Sequence, residues 1–281
     1  MTLMSKDEFT AFFEPYAQNV EGFYEVAYWR LADELIKEMV RRRLRPRPGQ
    51  HLLDAGGGTG RWAVWAAGEF DVSVTVADLS PRMLDQARVT VADAGLTERI
   101  DLVECDLHHA PELPDQRFDA ILSTYGVLSF LDDPQAAFRT LFRVLKPGGH
   151  GLLMSHSLSN ALASKVNRDG ATAAELRELA ETRIVRWAPH VPPLRVFSAA
   201  DLRALATGAG FDAVDVIGVT SVISPGPEDF GYPYTSVSAV SQALADPDYF
   251  ATVLELEVQA SEQPEWAERG TNLMLHVRRP E

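Results

Sequence analysis

The sequence has a single cysteine, Cys105, which excludes an internal disulfide framework and argues against a thiolate metal cluster. It has no apolar run near the ~20 residues that a membrane-spanning helix needs. Its first residues, Met1 to Phe13, lack the basic and apolar regions of a secretory signal, so the expectation is a cytoplasmic protein with no membrane partner. Positive charge is scarce: 26 Lys and Arg stand against 40 Asp and Glu, a net charge of −14. Binding along a phosphate backbone needs clustered Lys and Arg, so nucleic acid is disfavoured as a partner and the acidity reads as solubility. Internal repeats and low-complexity tracts are also missing. The remainder is ordinary for a globular protein: 281 residues, 46% hydrophobic and 23% charged. That is enough for one large domain, or one domain plus a lid.

One further absence is local. Residues 52–62 read Leu-Leu-Asp-Ala-Gly-Gly-Gly-Thr-Gly-Arg-Trp, a glycine-rich turn behind a short apolar run. Glycines there let the backbone turn tightly and approach a ligand, at the strand–loop–helix corner where open α/β sheets bind nucleotides. A dinucleotide fingerprint would be G-x-G-x-x-G, but after Gly56 and Gly58 the third position holds Arg61. Asp54 precedes the loop, a poor neighbour for a pyrophosphate and a good one for a ligand that is cationic nearby.

From Gly49 to Met154 short apolar runs alternate with amphipathic ones, which indicates a parallel sheet with crossover helices. The strand candidates are His51–Ala55, Val72–Ala77, Ile100–Cys105, Ala120–Thr124 and Gly151–Ser155, with helices near Arg61–Gly68, Pro81–Ala94 and Pro134–Leu145. Ser80 and Pro81 make a good helix start. Lys146-Pro147-Gly148-Gly149 stops a helix and turns into the next strand. After Ser155 the rhythm breaks. A helix-prone stretch, Ala171–Arg183, leads to Pro189, Pro192 and Pro193. Helix Ser198–Ala209 and strand Ala213–Val219 follow, then a second irregular stretch with a helix near Asp248–Ala260, and a last strand, Asn272–Val277. Before the sheet, Lys6–Arg43 reads as two amphipathic helices rich in Phe, Tyr and Trp.

Several polar residues fall at strand ends. Asp78 ends the second strand, where an acid accepts hydrogen bonds from ribose hydroxyls or serves as a plain helix-start acid. Leu79 and Met83 would then wall an adenine. Asp106 ends the third strand, placed to accept from an exocyclic amine or to be an ordinary loop acid. Ser123, Thr124 and Tyr125 end the fourth, lining the same crevice or closing a turn with Gly126.

These motifs resemble those of the class I S-adenosylmethionine-dependent methyltransferases over residues 50–155 and 198–219. Asp54-Ala55-Gly56-Gly57-Gly58-Thr59-Gly60 is similar to that family's first motif, Asp78-Leu79-Ser80 to the ribose-binding one, and Cys105-Asp106-Leu107 to the adenine-contacting one. Phe118–Leu122 and Leu145–Gly149 match the fourth and fifth strand regions. The resemblance implies an α/β, Rossmann-like, seven-stranded doubly wound sheet with an antiparallel last strand, and S-adenosylmethionine as cofactor. It implies one methyltransferase domain over 1–281: an N-terminal helical cap (1–48), a cofactor-binding half (49–156), acceptor-side insertions (157–197 and 221–269) and sheet completion (198–220 and 270–281), in a monomer or homodimer. Its cofactor-binding residues would be Asp54, Gly56, Gly57, Gly58, Asp78, Leu79, Met83, Cys105, Asp106, Leu107 and Thr124.

The acceptor is less legible. Val253–Glu257, Gln263-Pro264 and Asn272–Arg278 are similar to the tail of methyltransferases that esterify carboxymethoxyuridine in tRNA. In that subgroup an N-terminal arginine reaches the methionine carboxylate, and Arg30 would match it or be a solvated helix charge. The chain lacks the subgroup's lysine cluster before Val196-Phe197-Ser198, so a small-molecule acceptor leads, with tRNA second and a cofactor-binding protein with a non-methylating activity third. Methyl transfer can rest on positioning; a base is needed only if the acceptor loses a proton. His156, with a side chain that titrates near neutrality, and Tyr125 are the catalytic candidates, and His190 is a weaker one. Tyr24, Tyr28 and Trp29 could cover the ligands or belong to the core. No metal is expected: His108 and His109 are adjacent, so they point to different sides, and no carboxylate pair accompanies them. The fourth strand ends in Ser-Thr-Tyr-Gly instead of the Asn-Pro-Pro-Tyr of base or glutamine amino methylation, which tilts the acceptor towards oxygen, sulfur, carbon or a small amine.

Overall fold

The structure, a computed structural model, describes residues 22, 24–167, 170–187, 191–230 and 235–281. Most of the first expected N-terminal helix, His190 and Pro233 lie outside the described residues. The described chain runs α1 (Ala27–Met39), a wider helical turn (Val40–Leu44), β1 (His51–Ala55), α2 (Arg61–Phe70), β2 (Ser73–Asp78), α3 (Pro81–Asp93), β3 (Ile100–Glu104), β4 (Phe118–Ser123), α4 (Val127–Phe130), α5 (Pro134–Val144) and β5 (Leu145–His156). It continues through α6 (Leu158–Asn167), α7 (Ala173–Thr182), β6 (Ile184–Val185), β7 (Leu194–Arg195), α8 (Ala199–Ala209), β8 (Asp212–Val219), α9 (Ala239–Ala243), α10 (Pro247–Ser261) and β9 (Asn272–Arg278).

Seven strands form one sheet in the order β3-β2-β1-β4-β5-β9-β8. β1 to β5 pair in parallel, and β9 runs antiparallel to both β5 and β8. The strands are apolar on both faces, as a doubly covered parallel sheet requires. Leu53, Ile121, Leu153 and Leu275 meet Phe138 and Leu141 of α5 and Leu202 of α8 on one face. Leu52, Val74, Leu122, Leu152 and Met274 meet Leu35, Ile36 and Met39 of α1 and Trp62 and Ala66 of α2 on the other. Short polar residues start the helices: the Ser80 hydroxyl accepts from Met83 N–H ahead of Pro81, and Ser198 and Asp201 form a capping box for α8.

The Lys146–Gly149 segment differs from its expected role as a turn ahead of the strand. β5 begins at Leu145, already paired with Phe118, and the next pair is Ala120 with His150. β4 advances two residues while β5 advances five, so the prolyl-glycyl segment is a wide bulge inside the pairing. β5 is therefore a long strand with an irregular beginning, because Pro147 cannot donate to a ladder and Gly148 takes the left-handed conformation (φ 74°). The first irregular stretch also holds an unexpected helix, α6, and the small β6–β7 hairpin.

Candidate cofactor site

Strand order alone brings the ends of β3, β2, β1 and β4 into one row, and a cavity of about 480 Å³ lies along it. The β3 end supplies Cys105, Asp106 and Leu107, the β2 end Asp78 and Leu79, the β1 loop Gly56 to Thr59, and the β4 end Thr124 and Tyr125; Met83 of α3 completes that wall. Ten of the twelve residues expected to hold a cofactor, Arg30 counted among them, thus border one space. The loop owes its shape to its glycines. At Gly57 an added Cβ would sit 2.6 Å from Asp54 Cγ, so the loop lies directly on that carboxyl. Gly58 has φ 55°, and an added Cβ meets nothing nearer than Met83 Sδ at 4.0 Å; it would stand in the cavity. This is a cradle that admits a ligand close to the main chain, and it fits a nucleoside laid across the strand ends.

Asp78 braces the cradle. Its carboxylate accepts Gly58 N–H at 2.9 Å and Ser80 N–H at 2.8 Å. An ionised carboxylate has about four acceptor positions, so two such bonds leave capacity for hydroxyls. Burial raises the Asp78 pKa, and the backbone donors at Ser80, Gly58 and Leu79 oppose it. At the β3 end Asp106 Oδ1 receives the His108 N–H at 2.9 Å and the His108 Nδ1 at 2.6 Å. Burial favours the neutral acid, but these bonds outweigh it and hold Asp106 below the usual carboxylate range. His108 Nε2 accepts the Asp133 N–H at 3.3 Å, so the ring clips the β3 loop to the start of α5. Both His108 and His109 border the cavity. Among the described residues no set of three His, Cys, Asp or Glu could hold a metal ion. Burial pushes the Cys105 thiol up to about 12, so it is a neutral wall.

Four expectations need correction. Asp54 does not border the cavity: it lies beneath the loop, 2% exposed, with Oδ2 unpartnered. Burial, with the Asp78 charge adding to it, raises its pKa to about 7, against the Ala63 N–H and Arg61. Arg30 is exposed, its guanidinium 6.0 Å from the Phe250 ring centre, and it too lies away from the cavity. His156 is turned from it as well. Its Nε2 lies 2.7 Å from the point that a Cβ on Gly126 would occupy, its N–H donates to Ser129 Oγ at 2.9 Å, and burial lowers its pKa to about 4 despite Asn272 beside it. It is neutral at physiological pH and packs behind the β4 turn. Tyr125 does reach the cavity, but its phenol donates to Asp33, and burial with that carboxylate raises its pKa well above that of an ordinary phenol. It is a fixed donor, unsuited to serve as a base.

The structure also adds Arg61 and Asp33, which the sequence reading passed over, and separates the three aromatic residues Tyr24, Tyr28 and Trp29. Arg61, noted only as the missing third glycine, borders the cavity at the first position of α2. Its guanidinium pairs with Asp33 of α1, with Nη2 to Oδ1 at 3.2 Å, and lies 4.0 Å from the Tyr24 ring centre. Burial works against the charge, and the Asp33 partner more than offsets it, so the pKa is raised. Tyr24 borders the cavity, whereas Tyr28 is core, its hydroxyl bonded to Thr220 at 2.6 Å and Thr271 at 3.1 Å. Trp29 meets the Tyr125 and Phe230 rings edge-on and donates to the Asp229 carbonyl at 2.7 Å.

A model of the methyltransferase domain matches residues 52–149, the β1-to-β5 unit that builds this cavity. Residues 52–149 thus carry a methyltransferase domain, and the chain is an S-adenosylmethionine-dependent methyltransferase. An O-methyltransferase of Pyrenophora dematioidea is 29% identical to the methyltransferase over 214 residues, 73% of each chain. The tRNA 5-carboxymethoxyuridine methyltransferase of Escherichia coli K12 is 29% identical over 160 residues, 52% of this chain and 58% of that one. The phosphoethanolamine N-methyltransferase 2 of Haemonchus contortus, solved with phosphomonomethylethanolamine and S-adenosylhomocysteine, superposes with a TM-score of 0.60 at 18% identity, covering 97% of this chain and 60% of that one. That likeness is one of fold.

Asp54 gives the methyltransferase a measurable pH signature. With a folded pKa of about 7 against an unfolded value of about 3.9, the native state keeps a proton that the unfolded chain has lost between those values. Stability therefore falls as pH rises across this window. Between pH 5 and pH 8 this contributes about 2–3 kcal/mol, at about 1.4 kcal/mol per unit. Asp54→Asn should flatten that part of the profile in urea unfolding at the two pH values; the same pH dependence in both proteins would refute the assignment.

Proposed function

We propose that this methyltransferase acts on a small-molecule acceptor and works mainly by positioning. In this reading Asp78 takes the ribose hydroxyls, the backbone of Gly56, Gly57 and Gly58 lies against the nucleoside and sulfur, and Leu79 and Met83 flank the adenine. Cys105, Asp106 and Leu107 surround the base, and Thr124 closes the β4 side. When bound, S-adenosylmethionine supplies a methyl group on a sulfonium, which an acceptor lone pair takes by in-line displacement. The chain's part is to align the two molecules and exclude water. His156, packed behind Gly126 with its basicity lowered by burial, and Tyr125, held on Asp33, both speak against a side-chain base at that end.

The observation that carries the small-molecule reading is the character of the cavity. Aromatic and aliphatic side chains make most of its wall, and among the described lining residues Arg61 is the one Lys or Arg, against Asp78, Asp106, Asp132 and Asp133. Such a wall suits a compact ligand and repels a polyanion. The tRNA reading keeps one specific support, the Escherichia coli relative. Offering a panel of small hydroxyl, thiol, amine and activated-carbon acceptors, and separately bulk tRNA, distinguishes them by S-adenosylhomocysteine release. Turnover with a small acceptor is expected; turnover with tRNA, with retention that falls steeply with salt, would overturn the proposal.

The ribose assignment has its own test. Asp78→Ala is expected to weaken S-adenosylmethionine binding by roughly 1–3 kcal/mol, the cost of leaving buried hydrogen-bonding groups unpaired. Calorimetry showing unchanged affinity would remove Asp78 from the site.

A further inference from the structure

The loop after β3 carries Asp106-Leu107-His108, and α5 starts behind its cap residue, Asp133. Asp133 Oδ1 accepts the Ala136 N–H at 3.0 Å, with Pro134 at the first helical position. In a capping box, a Glu or Gln at the third helical position would accept the N–H of the cap residue. Ala136 stands there and has no acceptor, and the Asp133 N–H donates instead to His108 Nε2 at 3.3 Å. A backbone N–H can only donate, so Nε2 carries no proton and Nδ1 holds the one on the ring. Nδ1 therefore donates to Asp106 Oδ1 at 2.6 Å, the same oxygen that accepts the His108 N–H at 2.9 Å. A missing box partner on α5 thus sets the tautomer of His108, and that tautomer sets the orientation of Asp106.

We infer that His108 is a positioning residue for the choice of base: by holding Asp106 Oδ1 it fixes the carboxylate, so that Oδ2 accepts from an exocyclic amine and rejects a base with a carbonyl there. The inference rests on the placement of the base among Cys105, Asp106 and Leu107 given under the proposed function. The Asp106 side chain is 45% exposed, so burial alone does not fix it. Left free on its loop, it would lose rotamer freedom on accepting from the amine, and it could turn away from a carbonyl at little cost. Held by two bonds to Oδ1, it pays the ordering before the ligand arrives and meets a carbonyl with one acceptor facing another, a mismatch that leaves both unpaired. His108 is itself anchored at both ring nitrogens, one of them on a different element of the fold. Both ends of this clip, His108 and Asp133, border the same cavity as Asp106, which puts the device at the base end of the site.

The test compares S-adenosylhomocysteine with S-inosylhomocysteine, whose base carries a carbonyl in place of the amine, by calorimetry. Wild-type protein is expected to prefer the adenosyl ligand by roughly 10–100-fold, the range of a hydrogen bond to a charged group. His108→Ala should lose most of that preference. Two further variants separate the contacts of the ring. His108→Asn keeps an N–H near the Nδ1 position without reaching Asp133, and should retain the preference. His108→Gln keeps an acceptor near the Nε2 position without the donor to Asp106, and should lose the preference as the alanine variant does. Urea unfolding checks that each variant is folded. A full preference in His108→Ala would mean that Asp106 reads the base unaided, and the inference fails. If His108→Asn and His108→Ala both weaken the two ligands equally, His108 is a structural clip and the inference fails too. A wild-type protein that binds both ligands equally would overturn the base placement on which the inference rests, and one that binds neither would overturn the cofactor site itself.

Discussion

Gly58→Val is expected to lower affinity for S-adenosylmethionine and S-adenosylhomocysteine by at least ~100-fold, or about 3 kcal/mol. Two costs add. The residue sits at φ 55°, a conformation that a β-branched side chain adopts only with strain. Its new side chain would also enter the space beside Met83 where the main chain now faces the cavity. The same substitution leaves the sheet core untouched, so urea unfolding should show a folded protein while calorimetry shows no binding. A folded variant with wild-type affinity would mean that the ligand does not approach the loop.

Glu257→Ala should be among the most destabilising single substitutions in the chain, at about 3–5 kcal/mol, although it lies outside the cavity. Glu257 of α10 is fully buried and accepts three consecutive backbone donors, Ser221 N–H at 2.7 Å, Val222 N–H at 2.9 Å and Ile223 N–H at 3.0 Å. Burial raises its pKa, with those three bonds opposing. They fasten the segment that leaves β8 to the helix that packs on α1. Removing the carboxylate strands the donors, each costing roughly 1–3 kcal/mol where water cannot reach. Glu257→Gln keeps one acceptor oxygen and should lose markedly less. Equal stability of Glu257→Ala and wild type in urea unfolding would show that the segment has another anchor.

The half of the site written in backbone conformation was legible from sequence. The apolar run at His51–Ala55, the glycines behind it, and acids at Asp78 and Asp106 specify a local shape that neighbouring residues alone determine. Strand order then brings these ends together, and β1 and the last strand, β9, agree with the sequence reading to within one residue. The other half depends on which way side chains turn after packing. Arg30 and Asp33 are three residues apart on α1. The buried side of that helix holds Tyr28, Leu31, Ala32, Asp33, Leu35 and Ile36, so an acid on an apolar stripe was the signal for a buried partner. Arg30 falls outside that stripe, with its guanidinium beside the Phe250 ring. His156 ends β5 one residue beyond the expected strand, and its ring fills the space beside Gly126, a contact between distant segments that no local pattern encodes. Asp54 is similar: its place before the loop was plain, but only the tight glycine turn shows that it supports the loop from below.

If the cavity across the β3-β2-β1-β4 ends is the S-adenosylmethionine site, calorimetric titration of S-adenosylhomocysteine into the intact chain, beside Gly58→Val and Asp78→Ala, should separate the three proteins. Saturable binding is expected for wild type, weaker binding for Asp78→Ala and none detectable for Gly58→Val. Equal binding by all three folded proteins, or no binding by wild type, would contradict that assignment.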